Sequence, residues 1–485
     1  MTPGPLLIAF LLISVLVPGT ARAQASDVPL SQVLFDLLLD SVIMRSTTAT
    51  VAGNPHEAHY IPGLTQSDVP FELNKALVSQ LSTFPIGSSS GGFAYNVDPA
   101  TGAITPASSS FGPSFAERPL SIGRGRYNFG FNYQHARYKS FEGVDLKDGS
   151  LSFLLRHNNC CPPTNNRPKE VTDLTPFFEG DLVRTALSLT LKSDTATVSG
   201  NYGVTDSMDV GVVIPIVRVD LRASTRSTII RLSTGVPGPS DPDPSNLHSW
   251  DGLGATVRDL PQRGGSASGL GDVLFRAKYV FMKRPTAGAA VGADVRLPTG
   301  DQENLLGSGA TQARFLFIGA GSAGNLSPHV NFGYTFSSGE LASSLTDFRV
   351  PAVQGSDVLA GLTPAGTSLT VPDEVNYTFG FDYAATPKVT AAFDLIGRTL
   401  RGIHRFEVSN SSFNYVRVNE TQVRTTSLPE VNLADAGRLN LLLGAAGVKV
   451  NVSGTMLFTA SLLFPITSNG LRPQVTPVIG FDYGF

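Results

Sequence analysis

Three stretches of this chain alternate large apolar and small polar residues with a period of two, around nearly the same five-letter core. Tyr127, Phe129, Phe131 and Tyr133 interleave with Asn128, Gly130 and Asn132, giving F-G-F-N-Y. Val375, Tyr377, Phe379, Phe381 and Tyr383 interleave with Asn376, Thr378, Gly380 and Asp382, giving F-G-F-D-Y. The last residues, from Val475 through Ile479, Phe481 and Tyr483 to Phe485, interleave with Thr476, Gly480, Asp482 and Gly484, giving I-G-F-D-Y. Successive side chains of a strand point to opposite faces, so each stretch is aromatic on one side and polar on the other. On a helix the same residues would be smeared around the axis.

Smaller residues follow the rule at Val273–Phe281, Ala289–Leu297, Phe332–Phe336, Val389–Leu395 and Leu439–Leu443. Two runs change phase. Between Asp209 and Ala223 the apolar set passes from Val210, Val212, Ile214 and Ile216 to Val219, Leu221 and Ala223, and Leu187–Val204 has a similar break near Asp194. One inserted residue flips the faces of a strand, so a β-bulge is predicted beside Pro215 and another near Asp194.

Alternation alone also fits a soluble β-sandwich, whose apolar face would be a core. The connections separate the two. Long linkers (about 140–182, 233–268, 298–309, 338–371, 400–436) alternate with short ones at 203–206, 283–285, 322–326, 385–387 and 451–453. Short turns at one end and long loops at the other characterise outer-membrane barrels, and the spacing gives about twelve strands, within a range of twelve to fourteen. The predicted fold is therefore all-β: an up-and-down antiparallel transmembrane barrel over residues 125–485. It must close, because hydrocarbon offers no partner to an open edge.

Composition agrees. Charged residues make up 15% and there are 49 Gly and 29 Phe against 1 Trp, so apolar residues are spread thinly, as strands need. A net charge of -3 offers no basic surface for nucleic acid, and 41% hydrophobic residues exclude a disordered chain. Beyond the first 25 residues no uncharged apolar run approaches the ~20 residues of a spanning helix.

Residues 1–23 read as a secretory signal peptide, with an apolar run from Leu6 to Val17 and small residues at Ala21 and Ala23, although the n-region lacks Lys and Arg. Export to the outer membrane follows, and the final Phe485 resembles the C-terminal signature through which the barrel-assembly machinery receives such chains. The adjacent Cys160 and Cys161 enter an oxidising space, either as a vicinal disulfide or as two thiols. Residues 24–124 lack barrel alternation. They carry two helical patterns, Leu30-Leu34-Leu37-Leu38 with Phe35, and Leu73-Leu77-Leu81 with Phe84, and form either a plug in the lumen or a periplasmic extension.

In such a barrel Tyr127, Phe129, Phe131, Tyr133, Phe379, Phe381, Tyr383, Phe481, Tyr483 and Phe485 face lipid. The lumen face takes Arg126, Asn128, Asn132, Asp209, Arg218, Arg222, Asp272, Arg276, Lys278, Asp294, Arg296, Arg314, Asp382, Asp394, Arg398 and Asp482, a set that carries both signs. No catalytic, cofactor or metal site is predicted. His56 and His59 lack H-E-x-x-H spacing and a third ligand, and Gly87–Gly91 matches G-x-S-x-G only within a Ser/Gly-rich stretch.

Several motifs carry a resemblance. Ser110–Arg118 leads into the first strand, Y-G-V-T-D stands at Tyr202–Asp206, G-L-G-D at Gly269–Asp272, and Leu297–Asp301 with Asn304–Gly309 follows. Together they resemble the outer-membrane barrels of the MetA-pathway-of-phenol-degradation family over most of residues 110–485. That resemblance implies passage of aromatic or other apolar compounds and supplies no catalytic residues. A more distant likeness is to the outer-membrane long-chain fatty-acid transporters, which also place a plug before a barrel. The expected function is a plugged channel for small hydrophobic or aromatic solutes, with a closed surface-interaction protein or a general diffusion porin as the alternatives.

Overall fold

A computed structural model describes residues 28–44, 59–65, 67, 69–81, 85–89, 92, 95–97, 104–106, 108–157, 180–233, 248–251, 254–340, 370–417, 422–435 and 437–485. The signal-peptide expectation and the Cys160–Cys161 pair lie outside the described residues.

Twelve strands close into one antiparallel barrel. They are β1 (Tyr127–Phe141), β2 (Leu182–Gly203), β3 (Met208–Ile230), β4 (Leu274–Arg284), β5 (Ala287–Arg296), β6 (Thr311–Gly321), β7 (Leu326–Ser338), β8 (Glu374–Thr386), β9 (Val389–Ile403), β10 (Gly437–Asn451), β11 (Met456–Pro465) and β12 (Thr476–Gly484). Each pairs with its neighbours in chain order, and β12 returns to β1 with Phe481 opposite Phe131 and Tyr483 opposite Phe129, which leaves no edge in the ring. Rings of Tyr127 and Phe485 stack across this seam at 5.5 Å. The tight turns predicted at 203–206 and 451–453 fall at 204–207 and 452–455, at the end we take as periplasmic.

The phase changes have a different cause from the one predicted. β2 and β3 pair from Leu182↔Ile230 to Gly203↔Asp209 without a single register shift, so neither strand is bulged at Asp194 or Pro215. What changes is the medium outside the wall. Near the periplasmic end the outward side chains are Tyr202, Met208, Ile214 and Ile216, all exposed, and the inward ones include Thr195, Thr197, Asn201 and Asp209, all buried. Above the opposed pairs Ala196↔Ile216 and Asp194↔Arg218 the preference inverts. Arg218 and Arg222 point outward into solvent, while Leu187, Leu189, Leu191, Val217, Val219 and Leu221 turn inward and are buried. On β1 the level falls between Tyr133 and His135, which oppose Ala196 and Asp194. Tyr133 and His135 both hydrogen-bond Asp194 there, at 2.6 and 2.7 Å, polar tips on an apolar belt. Arg218 and Arg222 are therefore not lumen residues. β10 inverts in the same way: Leu439 and Leu441 are buried inside against Leu400 and Ile403, and Arg438 and Asn440 are exposed.

The inward apolar faces above this level enclose two helices, α1 (Leu30–Asp40) and α3 (Val69–Leu81), with the short α2 (Ile61–Thr65) between them. Both match the helical patterns of the sequence. Leu34, Phe35, Leu37 and Leu38 of α1 and Phe71, Leu73 and Leu77 of α3 join Leu187, Leu189, Val219 and Leu221 in one core, with Phe35 and Phe71 at 5.4 Å. Even Ser31 and Gln32 of α1 are fully buried, since wall and helices surround it.

Candidate functional site: a polar lumen crossed by residues 110–123

At the periplasmic end the interior is polar, and residues 110–123 run across it. Inward strand residues offer polar groups to this segment, and its backbone and serine hydroxyls take them up. Ser110 Oγ donates to Asp382 of β8, in a short contact. The Phe111 and Phe115 amides donate to Thr390 Oγ1 (2.9 Å) and Asp394 Oδ2 (3.1 Å) of β9. The Lys449 ammonium of β10 donates to the Pro113 carbonyl at 2.6 Å, and Ser114 meets Ser461 of β11 at 3.0 Å. Asn331 of β7 accepts from the Glu117 amide (2.7 Å) and donates to its carbonyl (3.0 Å). Asp209 of β3 accepts from Ser121 Oγ at 2.6 Å and from the Ile122 amide at 3.2 Å. Six strands around the ring thus hold one segment.

Its exit fixes two glycines. Gly123 and Gly125 have φ of 97° and 73°, the left-handed region that suits glycine, as the chain turns out of the mouth into β1. A Cβ at Gly203 would collide with the Gly123 carbonyl, so the last residue of β2 is bare where the segment crosses it.

Charge is densest around Glu117. Its carboxylate takes Arg276 Nη1 at 3.2 Å and Lys278 Nζ at 3.6 Å, and it accepts from the Ser89 amide and hydroxyl at 2.7 and 2.6 Å. Lys278 also faces Asp209 at 3.6 Å, and Asp294 bridges Arg276 (3.9 Å) and Arg314 (3.1 Å from Nε). Across the lumen His329 bridges Asp382 at 3.5 Å and Asp394 at 2.7 Å, and Arg398 Nε donates to Glu374 at 3.0 Å.

Of the predicted lumen residues, Asn128, Asn132, Asp209, Arg276, Lys278, Asp294, Arg314, Asp382, Asp394 and Arg398 are inward and buried or half-buried, as are Arg296 and Asp482. Arg126 is half-buried at the periplasmic rim. Asp272 is buried but serves the wall: it accepts from the Gly300 amide (3.0 Å) and from Ser308 amide and hydroxyl (2.7 Å each), pinning the loop between β5 and β6. That loop fills a notch. β3 pairs with β4 from Met208 to Val213, but from Ile216 upward it pairs with a separate strand, Val257–Leu270, which has no partner on its far side among the described residues. Buried Leu305 and Leu306 lie in the loop, and the α1 residues Leu30 and Ser31 hydrogen-bond it. The predicted lipid-facing aromatics Tyr127, Phe129, Tyr133, Phe379, Phe381, Tyr383, Phe481 and Phe485 are 36–51% exposed, and Phe131 and Tyr483 are half-exposed.

Sequence reading missed Glu117, His329, Glu374 and Lys449. A signal for Lys449 existed, since it alternates with the exposed Val448 in β10; Glu117 lies in an irregular segment, where alternation says nothing. His59 sits beside His157; His56 lies outside the described residues.

The resemblance read from the motifs is matched by a family model described as "Putative MetA-pathway of phenol degradation", which covers residues 182–397, from β2 into β9. Among solved structures, the chain is similar to an outer membrane channel from Pseudomonas putida F1, at 12% identity and a TM-score of 0.39, over 75% of this chain and 97% of that one. It is also similar to a Pseudomonas aeruginosa FadL homologue, at 12% identity and a TM-score of 0.28, over 81% and 95% of the two chains. No curated protein matches the chain.

Proposed function

We propose that the chain is an outer-membrane channel for small hydrophobic or aromatic solutes, held shut at rest by its own residues 24–124. The observation that carries this reading is the crossing of the periplasmic mouth by residues 110–123, bonded to six strands while the segment's helices fill the outer half. A segment that only decorated the periplasmic face would not need a hydrogen bond from each of these walls. The outer half is packed with Leu, Val and Phe of wall and helices, so a path opened there by a shift of the helices is apolar and favours an apolar solute, with the notch closed by Leu305 and Leu306 as its entry. Passage onward requires the polar contacts of residues 110–123 to open.

Uptake tests the solute class. Cells with an intact lipopolysaccharide leaflet that produce this chain should accumulate labelled toluene faster than cells without it, and labelled glucose at an unchanged rate. Equal acceleration of both solutes would instead favour a general diffusion porin. No acceleration of either would favour the surface-interaction reading, for which the hairpin Phe406–Tyr415 with Arg424–Leu433 is the exposed candidate.

A further inference from the structure

Three of the chain's seven histidines meet in one buried place above the outer membrane surface. His59 precedes α2, His157 follows the strand Leu151–Arg156, and His248 lies in the connection between β3 and the strand Val257–Leu270. Their relative exposures are 0%, 8% and 2%, so none is a solvated loop histidine. One ring nitrogen from each lies within 4.8 Å of the other two, and His59 Nδ1 is 2.8 Å from His157 Nε2.

The surroundings suit a cation. A carboxylate, Asp181, is fully buried beside the cluster, with Oδ2 3.2 Å from His248 Nδ1 and Oδ1 accepting the Ser233 amide. A carboxylate on one ring nitrogen fixes the tautomer and leaves the other, Nε2, to act as a ligand, which is the usual outer arrangement of metal-bound histidine. Tyr60, also fully buried, donates to the Asp181 carbonyl at 3.1 Å. Ligand nitrogens at ~2.05 Å from a tetrahedral ion are ~3.3 Å apart, so the His59–His157 pair needs to open only slightly.

We propose that His59, His157 and His248 form a three-imidazole site for a borderline divalent metal ion of the Zn2+ type, oriented by Asp181, with a fourth position left for water. The inference is independent of which solute crosses. Its consequence is mechanical: the ligands come from the N-terminal segment and from two connections of the barrel, so a bound ion ties residues preceding α2 to the wall around them. Neutral imidazoles make the site suited to Zn2+, Cu2+ or Ni2+ and unsuited to Ca2+ or Mg2+, which take oxygen ligands.

The test uses the full mature chain without a histidine tag, refolded, stripped with chelator and titrated with Co2+. The expected result is one tightly held Co2+ per chain with the intense visible absorption of tetrahedral coordination, displaced by Zn2+. His59→Gln and His248→Gln should abolish it, His404→Gln should leave it intact, and Asp181→Asn should weaken affinity by about 10–100-fold. Zn2+ should also slow proteolysis within residues 28–81 of the wild-type chain. Only the weak spectrum of hydrated Co2+, or a spectrum unaltered in folded His59→Gln and His248→Gln, would overturn the proposal. Should either variant fail to fold, the wild-type spectrum and its competition by Zn2+ decide alone.

Discussion

Ile214→Arg destabilises the folded barrel by about 1–3 kcal/mol in lipid, whereas Arg222→Leu, eight residues further along the same strand, changes it by no more than about 0.5 kcal/mol. Both side chains point outward from β3 and neither is engaged with the lumen. Ile214 is 39% exposed and lies below the Asp194↔Arg218 pair, where the wall meets hydrocarbon. Arg222 lies above that pair, where the outer face carries Arg218, Asp220 and Arg226 and meets water. Urea titration of the two variants in vesicles checks this. A large loss for Arg222→Leu would mean that its guanidinium is inside, as a bulge beside Pro215 would have placed it, and would contradict the unbroken register of β2 and β3.

Glu117→Ala loosens the crossing segment more than any other single change in it. The carboxylate is the shared partner of Arg276 and Lys278, and its removal leaves two buried cations whose next carboxylates, Asp294 and Asp209, stand at 3.9 and 3.6 Å. Truncating one side of a buried, hydrogen-bonded ion pair costs about 3–5 kcal/mol, because the other side keeps its charge. Here much of that cost falls on the closed position of residues 110–123, since the barrel's own strand pairing is untouched. The variant should form a barrel of normal strand content by circular dichroism yet show frequent brief openings in single-channel recordings, and Glu117→Gln, whose one amide oxygen still accepts from the Ser89 amide, should open less often. A Glu117→Ala channel as quiet as the wild type would mean that the segment is held by its backbone bonds alone.

Much of this architecture is legible in the sequence because a membrane barrel is written in a period of two and in loop lengths. The aromatic repeat at Phe129, Phe379 and Phe481 shows which face meets lipid, and the alternating linkers give about twelve strands and distinguish the two ends. The error over Arg218 and Arg222 has an instructive origin. Alternation records which face is apolar, not which face is outside, and the two coincide only while the outer medium is hydrocarbon. Strands as long as β2 and β3 leave the membrane, so their apolar face changes from outer to inner with no change in geometry. The contents of the lumen are harder to read. Contacts such as Glu117 with Arg276, Phe115 with Asp394, or His59 with His157 join residues 98 to 279 positions apart, through a segment with no periodicity of its own.

If residues 24–124 hold the barrel shut, as proposed, their removal lets it conduct. Planar-bilayer conductance of the mature chain, set beside a chain lacking residues 26–123, tests it most directly. The crossing residues 110–123 must be included in the deletion, because they span the mouth without help from α1 or α3. The full chain should be silent apart from rare openings, and the shortened chain should pass a steady current larger by roughly an order of magnitude or more, as an emptied polar lumen would. A steady ohmic current from the full chain, or silence from a folded shortened one, would contradict the account.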